Sequence, residues 1–97
     1  MFMITSTYRA PQPAIAAALP AHRAWIDALY AGGVFVLSGR LVPPSGGFML
    51  AIGIGRAELE ALLATDPFRI ADLLDHTITE LEPTRHAPEF EPFKERF

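Results

Sequence analysis

The spacing of hydrophobic residues alternates along the chain between the two-residue period of a strand and the longer period of a helix. Strand-like segments are expected at four places, which are Phe2 to Tyr8, Val34 to Val42, Phe48 to Ile54 and His76 to Leu81. The third of these is apolar on both faces. Between them, helical spacing predicts a main helix from Pro20 to Gly32-Gly33, a second helix from Gly55 to Ala64 and a short helix opened by Asp66-Pro67.

The element order strand–helix–strand–strand–helix–strand is the ferredoxin-like β-α-β-β-α-β arrangement. It predicts an α+β fold in which a four-stranded antiparallel sheet carries both helices on one face. Residues 1–83 would form this domain. Residues 84–97 contain Pro88 and Pro92 and therefore cannot form a central strand. We expect them to form an extended C-terminal arm that packs on a partner subunit.

The face of such a sheet that does not carry the helices has apolar residues that must be buried against another surface. In a chain of 97 residues, 51% hydrophobic residues are more than a small core hides comfortably. We therefore expect a homodimer that packs through the sheet face. A well-filled monomer core is the alternative interpretation of the same composition.

Charge and cysteine content exclude several classes of function. Eight basic against 11 acidic residues give a net charge of −3 without a basic stripe, so nucleic-acid binding is not expected. The chain has no cysteine, and no apolar run approaches the roughly 18 residues of a membrane helix. The N-terminal segment has no signal-peptide pattern. We expect a cytoplasmic protein without a membrane anchor.

His22 is the residue most suggestive of chemistry. It shares the apolar stripe of the main helix with Trp25, Ile26 and Leu29, whereas Arg23 and Asp27 are expected to face away. With the helix starting at Pro20, His22 lies near its N-terminus, where the partial positive charge of the helix disfavours an imidazolium ion. A neutral histidine in an apolar wall suits a general base, and a core histidine bonded to a backbone carbonyl is the alternative.

Other residues carry weaker signals. Asp66-Pro67 is an ordinary helix start, and Asp66 could either cap that helix or also meet a histidine. Ser38 and Arg40 share one face of the second strand, where they would either line a pocket or face solvent. Gly53-Ile54-Gly55 lacks the third glycine of a dinucleotide motif. His76 and His86 lack metal-ligand spacing, so no metal or other cofactor is expected.

Together these residues resemble the YCII-related family. The resemblance rests on motifs spread over most of the chain: Pro20-Ala21-His22, Gly32-Gly33, Leu37-Ser38-Gly39, Gly46-Gly47 and Asp66-Pro67-Phe68. It implies a dimeric α+β barrel of the muconolactone isomerase-like kind, with a His22–Asp66 pair in a pocket. Ser38, Gly39, Arg40, Phe68 and His76 are then expected to bind a small-molecule ligand. Arg40 and His76 depart from the family pattern, and Arg40 favours an anionic ligand.

The resulting functional hypothesis is a cofactor-independent isomerase or lyase. His22, oriented by Asp66, would transfer a proton on a small cyclic or carbonyl compound. A non-catalytic dimer that binds a small ligand or regulates a partner is the alternative.

Overall fold

A computed structural model describes residues 1–97 and has an antiparallel sheet with helices on one side. Its elements follow in chain order: β1 Phe2–Tyr8, α1 Gln12–Ala31, β2 Phe35–Arg40, β3 Gly46–Ala51, α2 Arg56–Leu63, α3 Pro67–Ile70, β4 Leu74–Glu80 and a C-terminal 3₁₀ helix Pro88–Arg96. The strands lie in the order β2-β3-β1-β4, and all neighbouring pairs are antiparallel. The predicted ferredoxin-like α+β fold is confirmed.

The main core lies between the sheet and the helices. Alternate residues of β1, among them Phe2 and Ile4, point toward Leu59 and Leu63 of α2, and all four are buried. A second cluster joins Ile15 of α1, Phe68 of α3 and Leu74 of β4. The two clusters lock both ends of α1 against the sheet, so side chains in the middle of this helix have fixed positions above the strands.

The predicted start of α1 at Pro20 is wrong. The helix begins at Gln12, and Pro20 lies within it. Proline removes one helical hydrogen bond. The alanine-rich run from Ala14 to Ala18 favours the helix strongly enough to continue through that position. His22 consequently lies in the middle of a 20-residue helix, and the predicted effect of a nearby helix N-terminus on its ring does not apply.

The end of α1 agrees with the prediction. Gly33 adopts a φ of 75°, and the N–H groups of Gly33 and Val34 donate to the carbonyls of Tyr30 and Leu29. This is the Schellman arrangement, in which a residue without a Cβ atom occupies the left-handed position.

Strand β3 begins at Gly46, two residues before the start at Phe48 that the sequence predicts. A Cβ atom on Gly46 would lie 1.8 Å from the backbone oxygen of Ser6, so this glycine allows β1 and β3 to approach closely. The side-chain hydroxyl of Ser6 also accepts a 2.9 Å hydrogen bond from the Gly47 N–H.

The C-terminal arm is not extended as predicted. Its 3₁₀ helix lies against its own chain, where the Arg96 guanidinium donates to the Gly33 carbonyl at 2.8 Å and the Gly53 N–H donates to the Arg96 carbonyl at 2.7 Å. Prolines at Pro88 and Pro92 are compatible with such short helical turns at the surface. The division into residues 1–83 and 84–97 stays a prediction.

None of the helices is long and apolar enough to cross a membrane.

The contribution of the core is testable with a matched pair of isoleucines. Ile4 is 0% exposed in the central strand β1, whereas Ile70 on α3 is 71% exposed. Ile4→Ala leaves a cavity and should lower the free energy of unfolding by about 2–5 kcal/mol, and Ile70→Ala should change it by less than about 0.5 kcal/mol. Urea denaturation measures both. Equal losses in the two variants would contradict the assigned core.

Candidate functional site

The side chain of Asp66 is completely buried and accepts hydrogen bonds from three elements. Oδ1 is 2.8 Å from Nδ1 of His22 on α1 and accepts from the backbone N–H of Phe68 on α3 at 2.9 Å. Oδ2 is 3.2 Å from Nε2 of His76 on β4. Asp66 thus caps α3 and contacts His22 at the same time, so the two alternatives left open by the sequence are both realised.

Local sequence explains the position of Asp66. Pro67 suits the first position of a helix, and Asp66 stands before it as the N-cap of α3. The preceding Thr65 accepts a 2.9 Å hydrogen bond from the indole N–H of Trp25, which fixes this loop against α1. One turn before Trp25 on α1, His22 then faces the carboxylate directly.

These contacts govern the charge of Asp66. Burial alone raises the pKa of the Asp66 carboxyl, but the hydrogen bonds from His22 and His76 outweigh burial. With the attraction of His22 and the Phe68 N–H, they lower the pKa to about 2. Asp66 is therefore an anion at neutral pH, and an ionised carboxylate can only accept hydrogen bonds.

The two histidines consequently present different atoms to their surroundings. His22 donates from Nδ1, so the neutral ring carries its lone pair on Nε2. That atom has no hydrogen-bond partner in the protein and is not buried. His76 donates from Nε2, and its buried Nδ1 has no partner. Only His22 offers a basic nitrogen that a small molecule can reach.

Aromatic contacts hold the imidazole of His22 in one orientation. The ring of Phe68 stacks on it with centroids 4.0 Å apart and planes 11° from parallel. Trp25 approaches at 5.8 Å. Since Phe68 is itself 1% exposed, it forms a rigid wall for the histidine.

A half-open cavity of about 380 Å³ lies between α1 and strands β1 to β3. This volume is in the range of small-molecule sites. His22 lines it, together with 16 residues of mixed character: Ser6, Tyr8, Gln12, Ile15, Ala16, Leu19, Arg23, Ile26, Ser38, Gly39, Arg40, Pro44, Gly47, Phe48, Met49 and Phe68.

Most of the residues proposed from the sequence lie at this cavity. Ser38, Gly39, Arg40 and Phe68 line it, and the Ser38 hydroxyl is held by the Tyr30 hydroxyl at 2.7 Å. His76 does not line the cavity, because its ring packs on the other side of Asp66 with only 2% of its side chain exposed.

Sequence reasoning missed Arg23, which lines the cavity instead of facing away. Arg23 is four residues after Leu19 and three before Ile26, and both of these line the cavity as well. Extending the apolar stripe back to Ile15 would have placed Arg23 at its edge. With the helix start predicted at Pro20, the residues from Ile15 to Leu19 were not counted as part of the stripe.

No group of three or more histidine, cysteine, aspartate or glutamate side chains is arranged to hold a metal ion. The polar side chains that line the cavity carry hydroxyl, amide, guanidinium and imidazole groups. These groups can donate and accept hydrogen bonds, and the imidazole of His22 can also transfer a proton.

The depressed pKa of Asp66 links this site to stability at low pH. Its folded pKa of about 2 lies below the ordinary value of 3.8, so the stabilisation is fully present above about pH 4 and is lost as the pH falls to about 2. The contribution is on the order of 2 kcal/mol.

Asp66→Asn should flatten the fall in unfolding free energy between pH 5 and 2, measured by chemical denaturation. Asp27→Asn removes an exposed carboxyl from α1 and is the control. A wild-type pH profile in Asp66→Asn would contradict the three-donor arrangement.

No curated protein matches the chain, whereas a solved structure has the same fold. Among solved structures, the chain is similar to 5-chloro-2-hydroxyhydroquinone dehydrochlorinase from Burkholderia phenoliruptrix AC1100 in complex with 2,5-dihydroxybenzoquinone, with a TM-score of 0.72 and 18% identity. The match covers 84% of this chain and 92% of that one. At this identity the likeness shows a shared fold. The YCII-related domain matches residues 1–82. The chain therefore belongs to the YCII-related family.

Proposed function

We propose that the protein is a cofactor-independent enzyme in which His22 transfers a proton on a small cyclic or carbonyl compound. The observation that carries this proposal is the 2.8 Å contact between Nδ1 of His22 and Asp66, in a residue that lines the cavity and whose Nε2 has no partner in the protein and is not buried. An imidazole oriented by a carboxylate is a common general base.

Asp66 has two effects on such a reaction. Its hydrogen bond keeps the proton of the neutral ring on Nδ1, which leaves Nε2 able to accept a proton. Once Nε2 has accepted that proton, the buried negative charge of Asp66 stabilises the imidazolium ion. The stacked ring of Phe68 prevents the imidazole from rotating away from the cavity.

The chemistry that fits is removal of a proton from a carbon next to a carbonyl group. The electrons of the C–H bond form an enolate, and Nε2 of His22 takes the proton. Return of the proton to a different carbon gives an isomerase, and departure of a leaving group from the neighbouring carbon gives a lyase. The structurally similar dehydrochlorinase, crystallised with a quinone, supports a cyclic compound of this kind.

His76 is proposed as a positioning residue in this scheme. Its Nε2–H occupies Oδ2 of Asp66, so Oδ1 is left for His22. The Nδ1 atom of His76 is buried and has no partner, so a ligand in the cavity does not reach it. His76 therefore fixes the carboxylate in this scheme rather than moving protons.

A non-catalytic ligand-binding protein is the second candidate. One observation favours it: no acidic side chain lines the cavity, so His22 has no second acid beside it to protonate a leaving group. In that case His22 and the polar lining residues would only hydrogen-bond the ligand.

We further propose that two chains associate through the sheet face opposite the helices, as in dimeric α+β barrels. The strand registers place Met3, Leu37, Phe48 and Leu50 on that face. Leu37 is 56% exposed. Leu50 is already buried within the chain, so the surface proposed for association is the part of this face around the exposed Leu37.

The catalytic proposal predicts a histidine-specific effect on proton exchange. Cyclic ketones and enols are incubated with the protein in D₂O, and NMR follows deuterium uptake at carbon. His22→Gln should lower the rate constant for a responsive compound by about 10²- to 10⁴-fold, because it removes the base. His86→Gln, which changes a histidine of the C-terminal arm outside the cavity, should retain the wild-type rate.

Equal exchange in His22→Gln and wild type would exclude His22 as the base. Binding without exchange by any compound would favour the second candidate.

The proposed dimer predicts that a charge at Leu37 disrupts the association of the two chains. Leu37→Asp places a charge at the proposed interface and should convert the dimer to a monomer at micromolar concentration, as measured by analytical ultracentrifugation. Ile70→Asp, at an exposed isoleucine outside the sheet, is the control and should remain dimeric. A wild-type protein that sediments as a monomer would overturn the proposed association.

A further inference from the structure

Two arginines lie at the cavity that His22 lines. Arg23 projects from α1 directly after His22 in sequence, and Arg40 ends strand β2 on the other side of the opening. Both residues line the cavity and are exposed, so they lie at its solvent-facing part rather than in its interior.

Neither guanidinium has a partner within the protein. The ion pairs of the structure involve other arginines, namely Arg9 with Asp72 and Asp75, and Arg56 with Glu60. Asp27 is one turn from Arg23 on α1, a spacing that permits an ion pair, yet the two do not form one. Both guanidinium groups keep their five N–H donors available.

The negative charges of the chain lie elsewhere. Although the net charge is −3, none of the 17 residues that line the cavity is acidic. Asp66 is the nearest buried carboxylate in the site, but it does not line the cavity, and its oxygens already accept three hydrogen bonds. The cavity is therefore locally positive in an acidic protein.

The interior of the cavity is apolar by comparison. Side chains of Ile15, Leu19, Ile26, Met49 and Phe68 form much of its wall. A ligand that matches this arrangement has an apolar or cyclic body for the wall and an anionic group for the mouth. Arginine binds the planar carboxylate group through two parallel N–H donors, which makes a carboxylate the anion of best fit.

We propose that the cavity selects small carboxylic acids, with Arg23 and Arg40 as the residues that determine this specificity. The inference deepens the proposed function, on which it rests, by naming the substrate class: a carboxylate that carries its reactive carbon beside Nε2 of His22.

Binding of matched acids and amides tests the inference without any turnover. Benzoate and 4-oxopentanoate are titrated into the full-length protein alongside benzamide and 4-oxopentanamide, and NMR chemical-shift changes give the dissociation constants. The amides have nearly the same shape but no charge. We expect each carboxylate to bind more tightly than its amide. We also expect this preference to vanish as salt rises from about 0.01 M to 1 M, since the screening length falls from about 30 Å to about 3 Å.

Arginine variants then locate the preference. Arg23→Gln and Arg40→Gln should each weaken carboxylate binding by about two- to fivefold, and the double variant by about tenfold, with amide binding unchanged. Arg40→Lys should recover part of the loss, because it keeps the charge. Arg69→Gln removes an exposed arginine that lies outside the cavity and should bind both carboxylates like the wild type.

Three results would overturn the inference: no binding of either carboxylate at millimolar concentration, equal affinity for acid and amide, or full carboxylate binding by the double variant. His22→Gln separates this inference from the proposed function. If that variant still prefers carboxylates while wild type exchanges no carbon-bound proton, specificity stands and catalysis fails. If wild type exchanges protons of neutral compounds as readily as those of acids, catalysis stands and the specificity fails.

Discussion

The buried carboxylate of Asp66 is the constraint on which the site depends. An ion removed from water must be compensated by hydrogen bonds, and Asp66 is compensated from α1, α3 and β4 at once. These three elements meet at this point because the second core cluster, with Ile15, Phe68 and Leu74, packs the same three elements together. The apolar contacts bring the donors into place, and the carboxylate fixes their geometry.

The orientation of His22 follows from this constraint. Because Asp66 is ionised, each histidine beside it must donate a proton, which determines the tautomer of both rings. The free nitrogen of His22, a residue that lines the cavity, is not buried, whereas the free nitrogen of His76 is buried. The two histidines on one aspartate therefore differ in which nitrogen donates and in whether the other nitrogen is accessible.

Much of the fold could be predicted from periodicity. Strand β1 has the expected bounds, because its alternation is regular and no glycine or proline interrupts it. The start of α1 could not be predicted by the rule that proline begins helices, since Pro13 and Pro20 both satisfy it and only the alanine-rich run between them decides. The position of Gly46 in β3 depends on a close approach to Ser6, a contact between distant residues that no local pattern reveals.

The residues of the site could be predicted from the sequence more readily than their contacts. The sequence indicates His22 and Asp66 as candidates, but their contact spans 44 residues of sequence and requires the packing of α1 on α3. The location of His76 behind Asp66 depends on the pairing of β4 with β1, where His76 is opposite Ser6. Arg23 was missed because one misplaced helix start altered the expected helix face.

The proton position on His22 is the most direct test of its assignment as the base. Long-range ¹H–¹⁵N correlation spectra distinguish the two ring nitrogens, and they should be recorded at a pH alkaline enough for the ring to be neutral. We expect the proton to lie on Nδ1, hydrogen-bonded to Asp66, and Nε2 to carry the lone pair. A proton on Nε2 would mean that Nδ1 does not donate to the carboxylate, and it would contradict the assignment of His22 as the base.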